Sequence, residues 1–234
     1  QHYFDRMKDL IDNYQPDLLY TDGPIFFEKY GLAVTAHLYN TVAAKYQGRV
    51  EAVYANKGKN DCVNGTCVLD LERGIVDNIR DETWQTDTCI GTWHYNKEAR
   101  YKSPKIVIDM LVDIVSRNGN LLLNFPLPSS GALDAQELYI LDEISRWMSV
   151  NGDAIYATRP WKVYGSSPAP AQTNVNLAGS GGHHVAEAFN ERNRRELNAA
   201  DVRYVTKGRD IYAFSMGIDA EKAVFNELGL NSPQ

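Results

Sequence analysis

Short apolar segments alternate with longer amphipathic ones, and this alternation constrains the fold more than any other feature. The predicted strands lie at residues 17–20, 50–56, 67–74, 83–90 and 118–127. The predicted helices lie at residues 3–14, 26–47, 134–150 and from Pro104 onward, the last with Ile106, Ile108, Met110, Leu111, Ile114 and Val115 on its apolar side. Such alternation favours a parallel sheet covered by helices. Several strands end in a polar residue beside a loop, which is typical of a (β/α) barrel, whose chemistry takes place at the C-terminal strand ends.

The composition changes after Thr158, where Pro, Ser and Gly become frequent. Residues 202–217 form two alternating segments around Lys207-Gly208-Arg209, a pattern that predicts a β-hairpin. The sequence therefore predicts two domains, a partial (β/α) barrel over residues 1–158 and a small β domain over residues 159–234. The charged segment 190–197 is expected on the surface.

Charge and hydropathy exclude several function classes. The net charge of −6 gives no support for a nucleic-acid or anionic-membrane partner. Apolar runs such as Leu121-Leu122-Leu123 are far too short to cross a bilayer, so no membrane insertion is expected. The chain begins with Gln and shows no signal peptide, which indicates a start that is processed, trimmed or left out.

The three cysteines bear on the cellular compartment. Cys62 and Cys67 flank an Asn-Gly turn signal that could bring them together, and a disulfide there implies an oxidising compartment. Asn64 begins a glycosylation sequon. Two free thiols and a chance sequon are an equally open interpretation. Cys89 lies on a predicted strand and is expected to be free and buried. The cysteine spacing makes a poor zinc site, so no metal is expected.

Two carboxylates at predicted strand ends are candidates for catalysis. Asp22 follows the strand 17–20 and Glu72 lies in the segment 67–74, each directly before or near a glycine. Either one alone is read more simply as a turn residue. At the ends of neighbouring barrel strands they would face one cavity, an arrangement suited to a nucleophile and a general acid/base on a glycosidic bond. The aromatic residues Trp84, Trp93 and Tyr95 would supply an apolar wall for a sugar, although single aromatics are more often core residues.

Six segments occur in a fixed order along the chain, and together they are more specific than any one of them alone. In chain order these are YQPDLLYTDG, VYANKG, LERG, WQTDTCIGTWHY, LVDIVSRNGNLLLNFPL and GDAIYATRPW. The set resembles the retaining α-L-fucosidases of glycoside hydrolase family 29 over residues 1–165. The later segment VRYVTKGRDIYAF is similar to the β-sandwich that follows the barrel in that family.

The resemblance implies roles for individual residues. Asp22 corresponds to the nucleophile of the family, and Glu72 to the acid/base of the members that carry ERG. Some members instead place a Glu after the tryptophan that corresponds to Trp84, but here Gln85 occupies that position and cannot transfer a proton. Lys57 corresponds to a cationic residue near the nucleophile, with a solvated loop lysine as the alternative. Trp93 corresponds to an aromatic that lines the sugar pocket, with Trp84 and Tyr95 nearby.

The implied activity is exo-acting hydrolysis of α-L-fucosides on fucosylated glycans through a fucosyl-enzyme intermediate, without a metal or an organic cofactor. The implied location is an exported one, either secreted, periplasmic or lysosome-like. Two alternatives stay open: a non-catalytic carbohydrate-binding remnant or fragment of a fucosidase, and another retaining glycosidase on the same barrel.

The length leaves part of a barrel unaccounted for. A complete barrel takes about 250 residues, and the segment before residue 159 supplies four or five strands. The family's N-terminal half, with its sugar-binding histidines, is expected to be missing, because His2, His37 and His94 lie outside the matching motifs. The apolar strands are expected to be covered on both faces, so an open sheet edge predicts self-association into a homo-oligomer.

Overall fold

The computed structural model describes residues 1–58, 60–62, 65–167, 190–191, 194–218 and 225–228. Its α-helices are His2–Tyr14 (α1), Lys29–Lys45 (α2), Pro104–Val115 (α3) and Ala135–Asn151 (α4). Its strands are Leu18–Thr21 (β1), Val53–Asn56 (β2), Val68–Asp70 (β3), Trp84–Cys89 (β4), Gly119–Asn124 (β5), Arg159–Ser166 (β6), Val202–Lys207 (β7) and Asp210–Ser215 (β8). Short 3₁₀ helices span Gly152–Ala154 and Asn226–Leu228.

The chain divides into two compact units. The first unit comprises Gln1–Leu71 and Thr83–Gln85, and the second comprises Glu72–Glu82 and Thr86–Gln234. A five-stranded sheet has the order β1-β2-β3-β4-β5, and the pairs from β1 to β4 are parallel. This order repeats the order of the sequence, as expected for consecutive strands of a (β/α) barrel.

In the first unit, α1 and α2 pack on one face of β1 and β2. The buried core there joins Ile11, Leu19, Leu38 and Tyr54, and Tyr54 shares a hydrogen bond of 2.8 Å with Thr21. On the other face, two register partners at the start of the strands are exposed, whereas Ala55 is buried. Leu18 is 46% exposed and its register partner Val53 is 42% exposed. Within this single chain, Leu18 of the predicted strand 17–20 is therefore left uncovered.

In the second unit, helix boundaries follow the capping signals of the sequence. Ser103 caps α3, with Pro104 as its first residue, and Asp134 forms a reciprocal capping box with Glu137 at the start of α4. Val107 on α3 and Ile140 on α4 pack in a shared core with residues of β5.

The buried side of α3 is wider than the predicted one. Met110 and Ile114 are buried as predicted, and Ile108, Leu111 and Val115 pack against the core. Ile106 is 41% exposed, whereas Val107, Val112 and Asp113 are buried. The helix turns Asp113 inward because buried guanidinium groups meet it there, so ion pairing rather than apolar spacing alone sets the orientation.

The antiparallel sheet of β6, β7 and β8 also belongs to the second unit. Lys207 pairs with Asp210 across Gly208 and Arg209, which confirms the predicted hairpin. Gly208 has a φ of 60°, which glycine adopts without strain. Together, the parallel sheet with its helices and the small antiparallel sheet agree with part of a (β/α) barrel followed by a β domain. The sandwich-like arrangement and the boundary at residue 158 stay predictions.

The charged segment 190–197 is not simply a solvated surface segment. Within its described residues, the Asn190 side chain accepts from the Ile75 amide at 2.9 Å and donates to the Ile75 carbonyl at 2.8 Å. Arg194 pairs with buried Asp113, and Arg195 pairs with buried Asp201. The surface prediction is wrong because these charged side chains find buried carboxylates and backbone groups as partners.

The cysteine predictions are confirmed. Cys62 and Cys67 form a disulfide, with their sulfur atoms 2.03 Å apart, and Cys89 is free and buried. The sequon residue Asn64 lies outside the described residues.

Candidate active site

Asp22 is the first residue after β1, at the centre of a tight three-residue turn. The Gly23 amide donates to the Thr21 carbonyl at 3.0 Å, which closes the turn around Asp22. Gly23 has a φ of 142°, and a Cβ atom on it would lie 2.9 Å from the Phe26 ring. This position therefore requires glycine. The turn directs the chain away from the sheet and leaves the Asp22 side chain 76% exposed.

Lys57 is the first residue after the neighbouring strand β2. Its Nζ lies 2.7 Å from Oδ1 of Asp22, and its side chain is 17% exposed. The Lys57 amide also donates to the Gly23 carbonyl at 3.0 Å. The two strand ends are thus joined by a backbone hydrogen bond and an ion pair, in which the cation is half-buried and the carboxylate is open. The structure brings these two predicted site residues together.

A second carboxylate in the first unit was not predicted from the sequence. Asp70 ends β3, pairs in register with Gln85 and is 2% exposed. The Gln85 Nε2 donates to Asp70 Oδ2 at 3.0 Å. Gln85 therefore binds a carboxylate as a neutral donor. Its place at the end of β3, two residues before Glu72, is the sequence signal that could have found Asp70.

Glu72 follows β3 by two residues and belongs to the second unit, whereas Asp22 belongs to the first. Its neighbour Leu71 donates to the Gln85 carbonyl at 2.9 Å, and Arg73 donates to the Asp87 carbonyl at 2.8 Å. The backbone around Glu72 thus continues alongside β4 beyond the end of β3, and the Glu72 side chain is half-buried. These two hydrogen bonds hold the backbone on either side of the turn that contains Glu72 and Arg73.

The three predicted aromatic residues have different environments. Trp84 is 1% exposed and lies in the core, so its ring is not open to a sugar in this structure, while Trp93 is 37% exposed. The phenol of Tyr95 interacts with Asp134, the N-cap of α4, and partial burial together with this carboxylate raises the pKa of Tyr95. Of the three, Trp93 is the one whose ring is available at the surface.

Two further observations concern ligands and membranes. No cluster of three or more His, Cys, Asp or Glu side chains suited to a metal ion occurs among the described residues. No helix in the described part of the chain is long and apolar enough to cross a membrane.

Comparison with known proteins decides the family. Residues 1–153, about two thirds of the chain, match the family model for alpha-L-fucosidase. The chain belongs to the alpha-L-fucosidase family. The resemblance predicted from the sequence motifs is thereby confirmed.

Individual members of the alpha-L-fucosidase family align with much of this chain but with less than half of their own length. Tissue alpha-L-fucosidase of Bos taurus is 29% identical over 180 residues, which cover 73% of this chain and 38% of the bovine protein. A solved alpha-L-fucosidase structure has a TM-score of 0.67 and 20% identity, over 94% of this chain and 43% of that one. Thermotoga maritima alpha-fucosidase, solved in complex with fucose, has a TM-score of 0.62 and 20% identity, over 91% of this chain and 41% of that one. These solved structures support the fold. The roles of the predicted site residues stay predictions, namely those of Asp22, Glu72, Lys57, Trp84, Trp93 and Tyr95.

Proposed function

We propose that this chain carries the catalytic carboxylates of an enzyme that hydrolyses α-L-fucosides with retention of configuration. The observation that carries the proposal is the open Asp22 carboxylate, held by Lys57 at adjacent strand ends in a chain of the alpha-L-fucosidase family. Carboxyl ends of parallel barrel strands are where enzymes with this fold perform their chemistry.

In the first step, an Asp22 oxygen attacks the anomeric carbon of the fucosyl group. The bond from that carbon to the leaving oxygen breaks, and its electron pair goes to the oxygen, which takes the proton of Glu72. The products are a fucosyl ester on Asp22, a free alcohol and an ionised Glu72. Inversion at the carbon places the ester on the opposite face from the departed group.

In the second step, water attacks the same carbon. Glu72 removes one proton from the water as the carbon–oxygen bond to Asp22 breaks, and the electron pair returns to the carboxylate. A second inversion restores the original configuration, and both carboxyl groups regain their starting protonation. Such a mechanism requires the two carboxyl groups about 5–5.5 Å apart.

Lys57 assists by position and charge. An ammonium group 2.7 Å from the carboxylate orients Asp22 and stabilises its negative charge before attack and after ester cleavage. The half-buried side chain of Lys57 limits the motion of its ammonium group. The ammonium group therefore stays paired with Oδ1 of Asp22. The other oxygen of Asp22 is then the one directed at the substrate.

The proposed substrate is a terminal α-L-fucoside on a glycan, and the proposed setting is an exported one. The disulfide between Cys62 and Cys67 supports an oxidising compartment. Self-association into a homo-oligomer stays a prediction, which light scattering at micromolar concentration tests.

The deciding experiment is the hydrolysis of 4-nitrophenyl α-L-fucoside by the purified chain, followed by proton NMR. We expect release of nitrophenol and first appearance of the α-anomer of fucose. If a different nitrophenyl glycoside were hydrolysed faster than the fucoside, the alternative of another retaining glycosidase would be favoured. A folded chain that binds fucosylated glycans without turnover would instead support the carbohydrate-binding alternative and reject the enzyme.

A further inference from the structure

Trp93 is an exposed aromatic on the loop that follows β4, and two groups of the second unit hold it. The Arg73 guanidinium lies over its ring, with Cζ 5.0 Å from the ring centroid. The Asn124 side-chain amide donates to the Trp93 carbonyl at 3.2 Å. The ring and the backbone of Trp93 are therefore each fixed by a separate contact, although the residue is 37% exposed.

Arg73 is itself held on several sides. Its Nη2 contacts the sulfur of Cys89 and donates to the Gly91 carbonyl at 3.4 Å. Its own amide donates to the Asp87 carbonyl at 2.8 Å, and its carbonyl accepts from the Glu191 amide at 2.9 Å. The guanidinium therefore joins the end of β4 to the loop that bears Trp93.

The backbone of Arg73 is also unusual, because its φ is 47°. A residue with a Cβ atom seldom adopts this left-handed conformation, and such outliers are often found near functional sites. The conformation falls directly after Glu72. This turn in the backbone allows the Glu72 side chain and the Arg73 guanidinium, which contacts Trp93, to point in different directions.

The charge of Arg73 has no carboxylate partner within the described residues. It faces the π surface of Trp93, a thiol and a carbonyl oxygen instead. A planar guanidinium stacked on an indole restrains the ring without closing its other face. Because Trp93 is 37% exposed, its ring offers the kind of surface on which the apolar side of a sugar packs.

We propose that Arg73 is a positioning residue for sugar binding, which acts by holding the Trp93 ring as a platform for the apolar face of the glycoside. The proposal rests on the proposed function for its substrate, but the restraint of Trp93 stands independently of turnover. Arg73 does not touch the reacting atoms in this role, so its loss affects substrate binding rather than chemistry.

The test compares the unmodified chain with Arg73→Met and Arg73→Lys. Acrylamide quenching of tryptophan emission is compared with that of Trp93→Leu, and the difference gives the signal of Trp93 because Trp84, Trp147 and Trp161 are present in both proteins. We expect Arg73→Met to increase the quenching of Trp93 by about twofold and to raise KM about three- to tenfold, with kcat changed less than about twofold. Arg73→Lys should restore most of both values.

Lys162→Met is the matched control. Lys162 Nζ lies 4.5 Å from the centroid of the Trp161 ring, so this variant removes a cation–π contact of the same kind on β6. It should leave the quenching of Trp93 and the KM unchanged. Circular dichroism establishes that each variant is folded, and Arg73→Lys provides the comparison if Arg73→Met does not fold.

A double-mutant cycle separates action through Trp93 from action on Glu72. In the Trp93→Leu background, Arg73→Met should leave KM unchanged. Unaltered quenching in Arg73→Met, or a loss confined to kcat, would overturn the proposal. Absence of turnover in the unmodified chain would instead reject the proposed function, and the quenching comparison would still decide whether Arg73 restrains Trp93.

Discussion

Two carboxylates of this chain, Asp22 and Asp113, have opposite environments. Asp22 is 76% exposed and is paired with Lys57, its one cationic partner among the described residues. The side chain of Asp113 is 7% exposed and is paired with three guanidinium groups, those of Arg117, Arg194 and Arg203. Burial alone would raise the pKa of Asp113, but these three charges hold it well below its usual range.

The comparison separates a carboxylate that can react from one that stabilises the fold. Asp113 is enclosed, so no substrate can reach it, and its oxygens are fully engaged by charged donors. Asp22 keeps access to solvent and has an ion-pair partner on one oxygen. Exposure together with a single well-placed cation is what a nucleophile needs, whereas several buried cations around one carboxylate are typical of a structural ion-pair network.

The largest expected effect comes from Asp22→Ala. We expect a fall in kcat of about 10⁴-fold or more, since a missing nucleophile has no substitute, with an unchanged melting temperature. Added azide should restore part of the rate and yield an inverted glycosyl azide. Asp17→Ala, at the exposed opposite end of β1, is the control and should keep normal turnover. Retention of more than a few per cent of the rate by Asp22→Ala would make Asp22 a turn residue only.

Asp113→Ala should affect stability and not chemistry. Removal of the carboxylate leaves two buried guanidinium groups and the half-buried one of Arg194 without their shared partner, which costs about 3–5 kcal/mol in the free energy of unfolding. Urea denaturation measures this loss. The exposed Asp142 on α4 provides the control, because Asp142→Ala should change stability by less than about 0.5 kcal/mol. Equal stability of the two variants would contradict the structural role of Asp113.

Glu72→Ala tests the acid/base with two leaving groups. We expect a loss of about 10²- to 10³-fold on a fucosylated disaccharide and a much smaller loss on an activated aryl fucoside, which needs little protonation. Gln85→Ala should have a mild effect on both substrates, because Gln85 donates to Asp70 and carries no acidic proton. Equal losses on both substrates in Glu72→Ala would remove it from this role.

The smallest effect concerns Asp201 and low pH. Burial raises the pKa of Asp201, but hydrogen bonds from Arg195, Ser167 and the Asn198 amide lower it overall to about 2. Because the folded pKa is below the unfolded one, its stabilisation is complete above about pH 4 and disappears as pH falls towards 2. Melting temperature measured between pH 5 and pH 2 should fall less in Asp201→Asn than in the unmodified chain. A parallel fall in both proteins would show that Asp201 does not contribute.

The positions of helices, strands and the nucleophile candidate were predictable because they depend on local patterns. Apolar spacing, Pro104, the Asp134 capping box and the Gly208 turn each act within a few residues. The partners of Arg194 and Arg203 could not be predicted, since Asp113 lies about 80 to 90 residues away in sequence. The burial of Asp113 on α3 was missed for the same reason.

The sequence by itself determined the family, the strand–helix order and the candidates Asp22 and Glu72, because motifs and short-range spacing encode these features. It left the disulfide between Cys62 and Cys67 and two free thiols equally open, and the structure shows the disulfide. The tertiary structure decided which charged groups are enclosed and which are open. It paired Lys57 with Asp22, placed Trp84 in the core and stacked Arg73 on Trp93. Burial and ion pairing depend on groups that come into contact only after distant segments pack together, and no local sequence pattern specifies those contacts.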